Sequence, residues 1–387
     1  MINIQRWMSR QYLSFFVTWG VFLPFWTGWL MEAKGLSVAE ASLIMSLGLA
    51  MRGLSTLFLF PWLSARYSSN TLRIAMSIAT LLAILTYIPA ESFIELILAT
   101  VLVHMFYPTI MPALDSAAGI LIQRKLLNNY GRSRSFGSAG FVMAGVVLTF
   151  FTGTYGDGVV LWALILGMFV FAVLSLLPAP EALQEGASLH RSRNGMLQLF
   201  RVRHFGIVLA AVVLLQAAHA SYYSYGYIYL QHIEVPTYWI GIIINIAVVA
   251  EIIFFVVADR YFQSFSAGSL LSLAAMGSTV RWLLVFAFPN VVVFSISQAL
   301  HAFSFAMGHY AFMRFITHHI PQSQIPNAQG MYGALALSWS TAILTLFGGF
   351  LYEIQPGFAF LGMIVCTLPS LLLALIYRSQ ERRAALI

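Results

Sequence analysis

Long apolar runs alternate with short polar punctuation along almost the whole chain. Runs bounded by charged residues or by Pro, Gly and Ser fall at about 12 to 31, 38 to 63, 72 to 90, 93 to 120, 133 to 154, 158 to 178, 204 to 231, 239 to 258, 268 to 288, 291 to 317, 328 to 352 and 357 to 377. A helix that crosses a bilayer needs about 20 mostly apolar residues, so the pattern predicts twelve membrane spans. The longest polar stretch, from Pro180 to Arg203, carries Glu181, Glu185, His190, Arg191, Arg193, Arg201 and Arg203. It divides the spans six and six. The expected organisation is an all-α membrane protein with a six-helix bundle over 1–179, a cytoplasmic linker over 180–203 and a second six-helix bundle over 204–387.

Composition narrows the function classes. Of 387 residues, 60% are hydrophobic, 15% aromatic and 9% charged, against roughly 25% charged in an average soluble domain. Twelve spans use nearly the whole chain, which leaves no hydrophilic block for a nucleotide-driven pump, a sensor kinase or a receptor ectodomain. The formal charge of +7 reports orientation, because Lys and Arg near short loops are retained in the cytoplasm. Arg6, Arg10, Arg66, Arg73, Arg124, Lys125, Arg132, the linker arginines, Arg260, Arg378, Arg382 and Arg383 fall on one side, and only Lys34 falls clearly on the other. Both termini and the linker are therefore expected in the cytoplasm, with no nucleic-acid partner. No small-residue cleavage site follows Arg6 and Arg10, so the first span reads as a retained helix.

Cofactor chemistry finds no support. The single cysteine, Cys366, excludes an internal disulfide. No zinc-type ligand spacing occurs, no Gly-Lys-Ser/Thr phosphate loop appears, and no nucleophile and base pair emerges. Neither metal, cofactor nor enzymatic activity is expected.

Ionisable groups at bilayer depth are costly, so each is a functional candidate. They are Arg52, His104, Asp115, Arg134, His219, Glu251, Arg281, His301, His309 and Arg314. Arg314 lies near a helix end and is expected to snorkel. His104 and Asp115 share one helix face about 16 Å apart, with Pro108 and Pro112 between them; prolines are tolerated best where a helix lines a cavity. In the seventh span Gln216, His219, Tyr223 and Tyr227 form a stripe that suits either cavity lining or hydrogen bonding between helices. In the tenth, one of His301 and His309 is expected to be functional and the other structural.

Two six-helix halves of the same orientation suggest a parallel duplication. The loops after the second and eighth spans, Pro61-Trp-Leu-Ser-Ala-Arg66 and Phe255-Val-Val-Ala-Asp-Arg260, resemble the loop signature of the major facilitator superfamily, although only the second keeps the acid, Asp259. Within that superfamily the chain resembles the lactose permease and phenylpropionate permease lineages of proton symporters. Asn129-Tyr-Gly-Arg-Ser-Arg134-Ser-Phe-Gly-Ser138-Ala-Gly140 is similar to the segment that opens the lactose permease fifth helix, and Pro112-Ala-Leu-Asp115 to its fourth-helix carboxylate with a one-residue shift. The resemblance places Arg134 on an arginine that binds substrate and implies an Asp115/Arg134 pair across the N-terminal half of the cavity. Ala250-Glu251, Ser278-Thr-Val-Arg281 and Leu300-His301-Ala-Phe303 match eighth-, ninth- and tenth-helix motifs. Three residues after the histidine, however, Ser304 stands where that permease has its proton-carrying glutamate, and Gln298 replaces a lysine. Gly20-Val-Phe-Leu-Pro24-Phe-Trp26, Leu215-Gln216-Ala-Ala-His219-Ala-Ser-Tyr-Tyr223 and Val280-Arg281-Trp282 look more like the phenylpropionate permease group.

The function this implies is proton-coupled uptake of an aromatic carboxylic acid, resembling 3-phenylpropionate, by alternating access in a bacterial inner membrane. A substrate carboxylate needs a planar cation, here Arg134 or Arg281, with Asp115, His219, Tyr223, Tyr227 and Trp26 completing the site and Trp19 and Phe22 adding ring contacts. Proton coupling is expected at Glu251, modulated by His301 and Arg281, with Asp115 as second choice. The expected partners are a small molecule, protons and membrane lipid, around a monomer. Two other readings remain open: the same fold carrying a sugar or nucleoside with protons, and a non-transporting membrane sensor.

Overall fold

Each apolar run forms a helix, and polar caps set where many of them begin. The computed structural model describes residues 3–184, 195–321 and 324–384; Glu185, His190, Arg191 and Arg193 of the linker, and the side chain of Asp259, lie outside them. The membrane helices are α1 (Ile4–Glu32), α2 (Val38–Ser64), α3 (Ser69–Leu85), α4 (Phe93–Gln123), α5 (Tyr130–Tyr155), α6 (Val159–Leu176), α7 (Phe205–His232), α8 (Thr237–Phe262), α9 (Ala267–Ala287), α10 (Val291–His319), α11 (Ile325–Ile354) and α12 (Pro356–Arg383). No strand occurs among the described residues. Eleven of these helices are long and apolar enough to cross a membrane, and α3, with 17 residues, is the short one. Its length of about 26 Å falls just below a hydrocarbon core of about 30 Å.

The side chain of Asn3 accepts from the Arg6 N–H at 3.0 Å and starts α1 well before its apolar run. Ser37 with Glu40 and Ser92 with Glu95 form reciprocal capping boxes at α2 and α4, satisfying N–H groups that a helix start leaves unpaired. Asn129 and Asn290 cap α5 and α10.

The chain divides into two compact units, Met1–Arg191 with Pro236–Ile242, and Ser192–Val235 with Ile243–Ile387. In the first, α1 packs along α5 and α6, and α3 against α6; in the second, α7 packs along α11 and α12, and α9 against α12. The same neighbours recur six helices later, as a duplication requires.

Within the first unit α1 and α5 touch backbone to backbone. A Cβ on Gly140 would lie 2.6 Å from the Leu13 carbonyl oxygen, and one on Gly20 would lie 2.5 Å from that of Phe141. Small residues permit such an approach where helices associate by packing. Gln5 ties the same seam, its amide donating to the Asn129 carbonyl at 2.9 Å and to Ser133 Oγ at 2.6 Å.

Two arginines read as surface charges have internal roles. Arg73 is buried, donating to Gln11 Oε1 at 3.0 Å, Asn70 Oδ1 at 2.7 Å and the Ser175 carbonyl at 2.9 Å. Arg314 donates to the carbonyls of Phe262, Phe265 and Gln263 at 2.8 to 3.0 Å, so it closes the C-terminal end of α8 instead of reaching for headgroups. That end leaves carbonyls without helical partners and attracts a cation.

Six of the helices are locally irregular, α12 among them with a break at Gly362 and Met363 between Pro356–Leu361 and Ile364–Ala384. α2, α10 and α11 contain π turns at Ser55–Leu59, Ala302–Ala306 and Leu335–Trp339; α4 tightens to a 3-10 turn at Tyr107–Thr109, beside Pro108; and α7 is interrupted at Ala218 and His219. Membrane helices tolerate such irregularity where other groups satisfy the freed backbone, and π turns gather at functional positions.

Candidate functional site

In the second unit, four helices bring their polar groups together. His301 precedes the π turn of α10, facing Glu251 of α8, Arg281 of α9 and His219 at the interruption of α7. Nη1 of Arg281 donates to His301 Nδ1 at 2.6 Å, and His301 Nε2 lies 2.6 Å from a Glu251 oxygen. A guanidinium has no acceptor. His301 Nδ1 must therefore accept, its proton sits on Nε2, and Nε2–H donates to the carboxylate. A neutral imidazole thus bridges a cation and an anion. Nη2 of Arg281 donates to Gln298 Oε1 at 3.1 Å, and the guanidinium lies 4.6 Å and 4.4 Å from the ring centres of Tyr222 and Trp282. Arg281 is 0% exposed and His301 2%, while the Glu251 side chain keeps 23% of its surface. Glu251 is the accessible end of the chain.

His219 supports this arrangement from the side. Its Nδ1 lies 3.1 Å from the Leu215 carbonyl and its Nε2 2.9 Å from Ser304 Oγ. A carbonyl only accepts, so His219 carries its proton on Nδ1 and Ser304 donates to Nε2. The two imidazoles meet edge to face at 5.1 Å, and Tyr223, half-buried, adds its ring to both at 6.3 and 6.2 Å. A turn further along α10, His309 Nδ1 is 3.1 Å from the Tyr332 hydroxyl, which also receives the Gln216 amide at 3.0 Å.

The first unit carries a different arrangement. Tyr12, Phe16 and Trp19 recur along one face of α1. The Arg134 guanidinium lies 4.3 Å from the Phe16 ring centre and 5.5 Å from that of Tyr12, and Arg52 lies 5.4 Å from that of Trp19. The Tyr12 hydroxyl donates to Asp115 at 2.7 Å and the Tyr130 hydroxyl approaches the same oxygen at 3.4 Å. Asp115 is exposed; Arg134, Arg52 and Trp19 are half-buried. Arg52 is the fifteenth residue of α2 and Glu251 the fifteenth of α8, so corresponding helices of the two halves carry opposite charges at equivalent positions.

Asp115 and Arg134, the pair implied by the resemblance, are linked through Tyr12, which gives its hydroxyl to the acid and its ring face to the cation. Other expectations need correction. Arg281 cannot meet a substrate carboxylate in this conformation, because it is fully buried and committed to His301 and Gln298. His219 likewise has both ring nitrogens occupied and no exposed surface. Trp26 belongs to the aromatic core of the first unit, wholly buried, stacked on Trp29 at 4.4 Å and edge-on to Tyr87 at 4.8 Å. Tyr227 is buried one turn beyond the cluster, and Tyr222 is the tyrosine whose ring lies on Arg281. His104 is also a packed histidine, donating from Nδ1 to the Thr100 carbonyl at 2.9 Å against Gly48. Tyr12 was not singled out in the sequence, and neither Tyr222 on Arg281 nor Arg52 on Trp19 was anticipated; the i, i+4, i+7 spacing of Tyr12, Phe16 and Trp19 was the available signal.

The MFS_1 like family model matches residues 5–362. The chain belongs to the MFS_1 like family. Among its relatives, a probable 3-phenylpropionic acid transporter of Escherichia coli (strain K12) is 30% identical over 369 residues, covering 95% of this chain and 96% of that one. A maltose permease of Geobacillus stearothermophilus is 27% identical over 380 residues, covering 96% and 94%. The crystal structure of the nucleoside transporter NupG superposes with a TM-score of 0.83 over 98% of this chain and 99% of that one, at 14% identity; at that identity the likeness concerns the fold. This member of the MFS_1 like family is a multi-pass membrane transporter of the major facilitator superfamily. It acts on a small molecule and is not an enzyme.

Proposed function

We propose that the protein takes up an aromatic carboxylic acid, of the 3-phenylpropionate kind, in symport with protons across a bacterial inner membrane, with both termini in the cytoplasm. The observation that carries this reading is the first unit's aromatic stripe with guanidinia seated on its rings. Arg134 offers a planar fork for a carboxylate, and Phe16 and Trp19 offer ring faces and edges to an aryl group. Arg52, on the same stripe, supplies a second positive charge. The name and identity of the Escherichia coli relative support the same class of substrate.

Proton coupling is assigned to Glu251. In the tautomer that this geometry requires, His301 cannot take a second proton without opposing an N–H to the Arg281 N–H at 2.6 Å. A proton entering this chain therefore goes to the carboxylate, its only group with exposed surface. Neutralising Glu251 removes the charge that Arg281 balances through the imidazole, and alternating access would follow from that change. Asp115, held by two phenols in the first unit, is the second candidate.

The test is uptake of labelled 3-phenylpropionate into cells expressing the protein, with and without a protonophore. Uptake that collapses with the gradient and is absent in Arg134→Ala supports the proposal. A sugar is the second reading, favoured by the exposed Asp115 acceptor and the maltose permease relative; inhibition of uptake by maltose and not by aromatic acids would select it.

A further inference from the structure

At the end of the first unit that holds Asn3, helices α1 and α5 border a groove of about 710 Å³ lined by Arg6, Arg10 and Arg132, with Leu13 and Phe136 below them. Arg6, Arg10 and Leu13 share one face of α1, and Arg132 and Phe136 one face of α5. All three arginines are exposed. Among the described residues, none of their guanidinia makes a hydrogen bond or ion pair, whereas Arg66, Arg73, Arg281 and Arg314 all have protein acceptors. Three cations with no acceptor among the described residues, on one concave surface, repel one another unless an anion joins them.

The groove faces away from the proposed substrate site. Arg134 follows Arg132 by two residues, about 200° around the helix, and its guanidinium lies on Phe16. Phe136, on the Arg132 side and 41% exposed, continues along α5 into Met143, Val147 and Phe150, which are 52%, 49% and 63% exposed. A stripe of exposed apolar side chains on a membrane helix is its lipid-facing side. Guanidinia at the helix end with an apolar track running into the bilayer match a phosphate headgroup with acyl chains beneath it. Basic pockets between membrane helices recognise such headgroups.

We propose that this groove is a binding site for an anionic phospholipid, with Arg6, Arg10 and Arg132 clamping the phosphodiester and Leu13, Phe136 and Met143 contacting an acyl chain. The inference is independent of the substrate and of proton coupling.

The test uses delipidated full-length protein titrated with phosphatidylglycerol, phosphatidylcholine or inorganic phosphate, with bound lipid counted by native mass spectrometry and unfolding temperature followed in parallel. Phosphatidylglycerol should bind saturably and raise the unfolding temperature. Each arginine at an anionic lipid contributes about fivefold in affinity, so Arg6→Gln/Arg10→Gln/Arg132→Gln should lose on the order of a hundredfold. Arg382→Gln/Arg383→Gln, outside the groove, should retain the effect, and the single variant Arg132→Gln serves if the triple variant does not fold. Equal protection by inorganic phosphate, equal binding of phosphatidylcholine, or an equal loss in the Arg382/Arg383 variant would overturn the proposal.

Discussion

Arg281 donates to Nδ1 of His301 at 2.6 Å, and that one contact decides where a proton can reside in the second unit. The cation holds the imidazole in the form that donates to Glu251, so His301 relays charge balance without carrying the proton. Glu251→Gln keeps an acceptor for His301 Nε2–H but cannot release a proton. This variant should exchange substrate across the membrane at near wild-type rates and fail to accumulate it against a gradient. Counterflow and proton-driven uptake in proteoliposomes separate the two, and full accumulation would exclude Glu251 as the coupling group.

His301→Ala removes the bridge and leaves a buried guanidinium facing a cavity. Breaking a buried charged network by deleting one member costs about 3–5 kcal/mol. The unfolding temperature in detergent should fall accordingly, while His301→Gln, which retains an acceptor and a donor, should recover a large part of the loss.

Arg134→Lys keeps the charge of the proposed carboxylate anchor and loses the planar stack on Phe16 and Tyr12. A cation on an aromatic face contributes about 0.5–2 kcal/mol, so KM for an aromatic acid should rise roughly two- to thirtyfold. kcat should change less, and Arg134→Ala should abolish saturable uptake.

Tyr12→Phe distinguishes the two roles of that residue. The ring under Arg134 remains, but the hydroxyl on Asp115 is lost, and a hydrogen bond to a charged group contributes about 1.5–3 kcal/mol. Thermal unfolding should show the destabilisation, and uptake of an aromatic acid should persist with little change in KM. If KM rises as far as in Arg134→Lys, the hydroxyl itself takes part in recognition.

Gly140→Ala tests the α1 and α5 seam. The new Cβ would meet the Leu13 carbonyl at 2.6 Å, and neither backbone can yield locally, so the helices must separate at a cost of about 1–3 kcal/mol. The variant should express poorly or unfold at lower temperature.

The helices were legible in the sequence because bilayer thickness and binary patterning leave few alternatives: the runs that start at 38, 93 and 291 begin directly after residues that prove to be caps, Ser37, Ser92 and Asn290. Glu251, Arg281 and His301 were also legible as a group, since ionisable residues at depth are rare. Their internal order was not. Sequence spacing cannot tell that Arg281 is wholly consumed by His301 and Gln298, or that Tyr222 instead of Tyr227 covers it, because a break at Ala218 and His219 resets the helical phase of α7. The residue that joins Asp115 and Arg134 was not legible for a similar reason: Tyr12 lies 103 positions before Asp115, and only tertiary packing brings it to them.

The π turn at Ala302–Ala306 changes how α10 is to be counted. An i to i+5 turn holds one residue more than an α-turn, the signature of a single-residue insertion that the helix absorbed. Position 304 therefore does not occupy the place that three steps past a histidine would have in an uninterrupted helix; Ser304 turns toward His219. Matching letters between this segment and an uninterrupted helix would equate positions whose side chains point in different directions. Ser304→Glu would place a carboxylate beside His219 and not beside the Glu251 end of the chain.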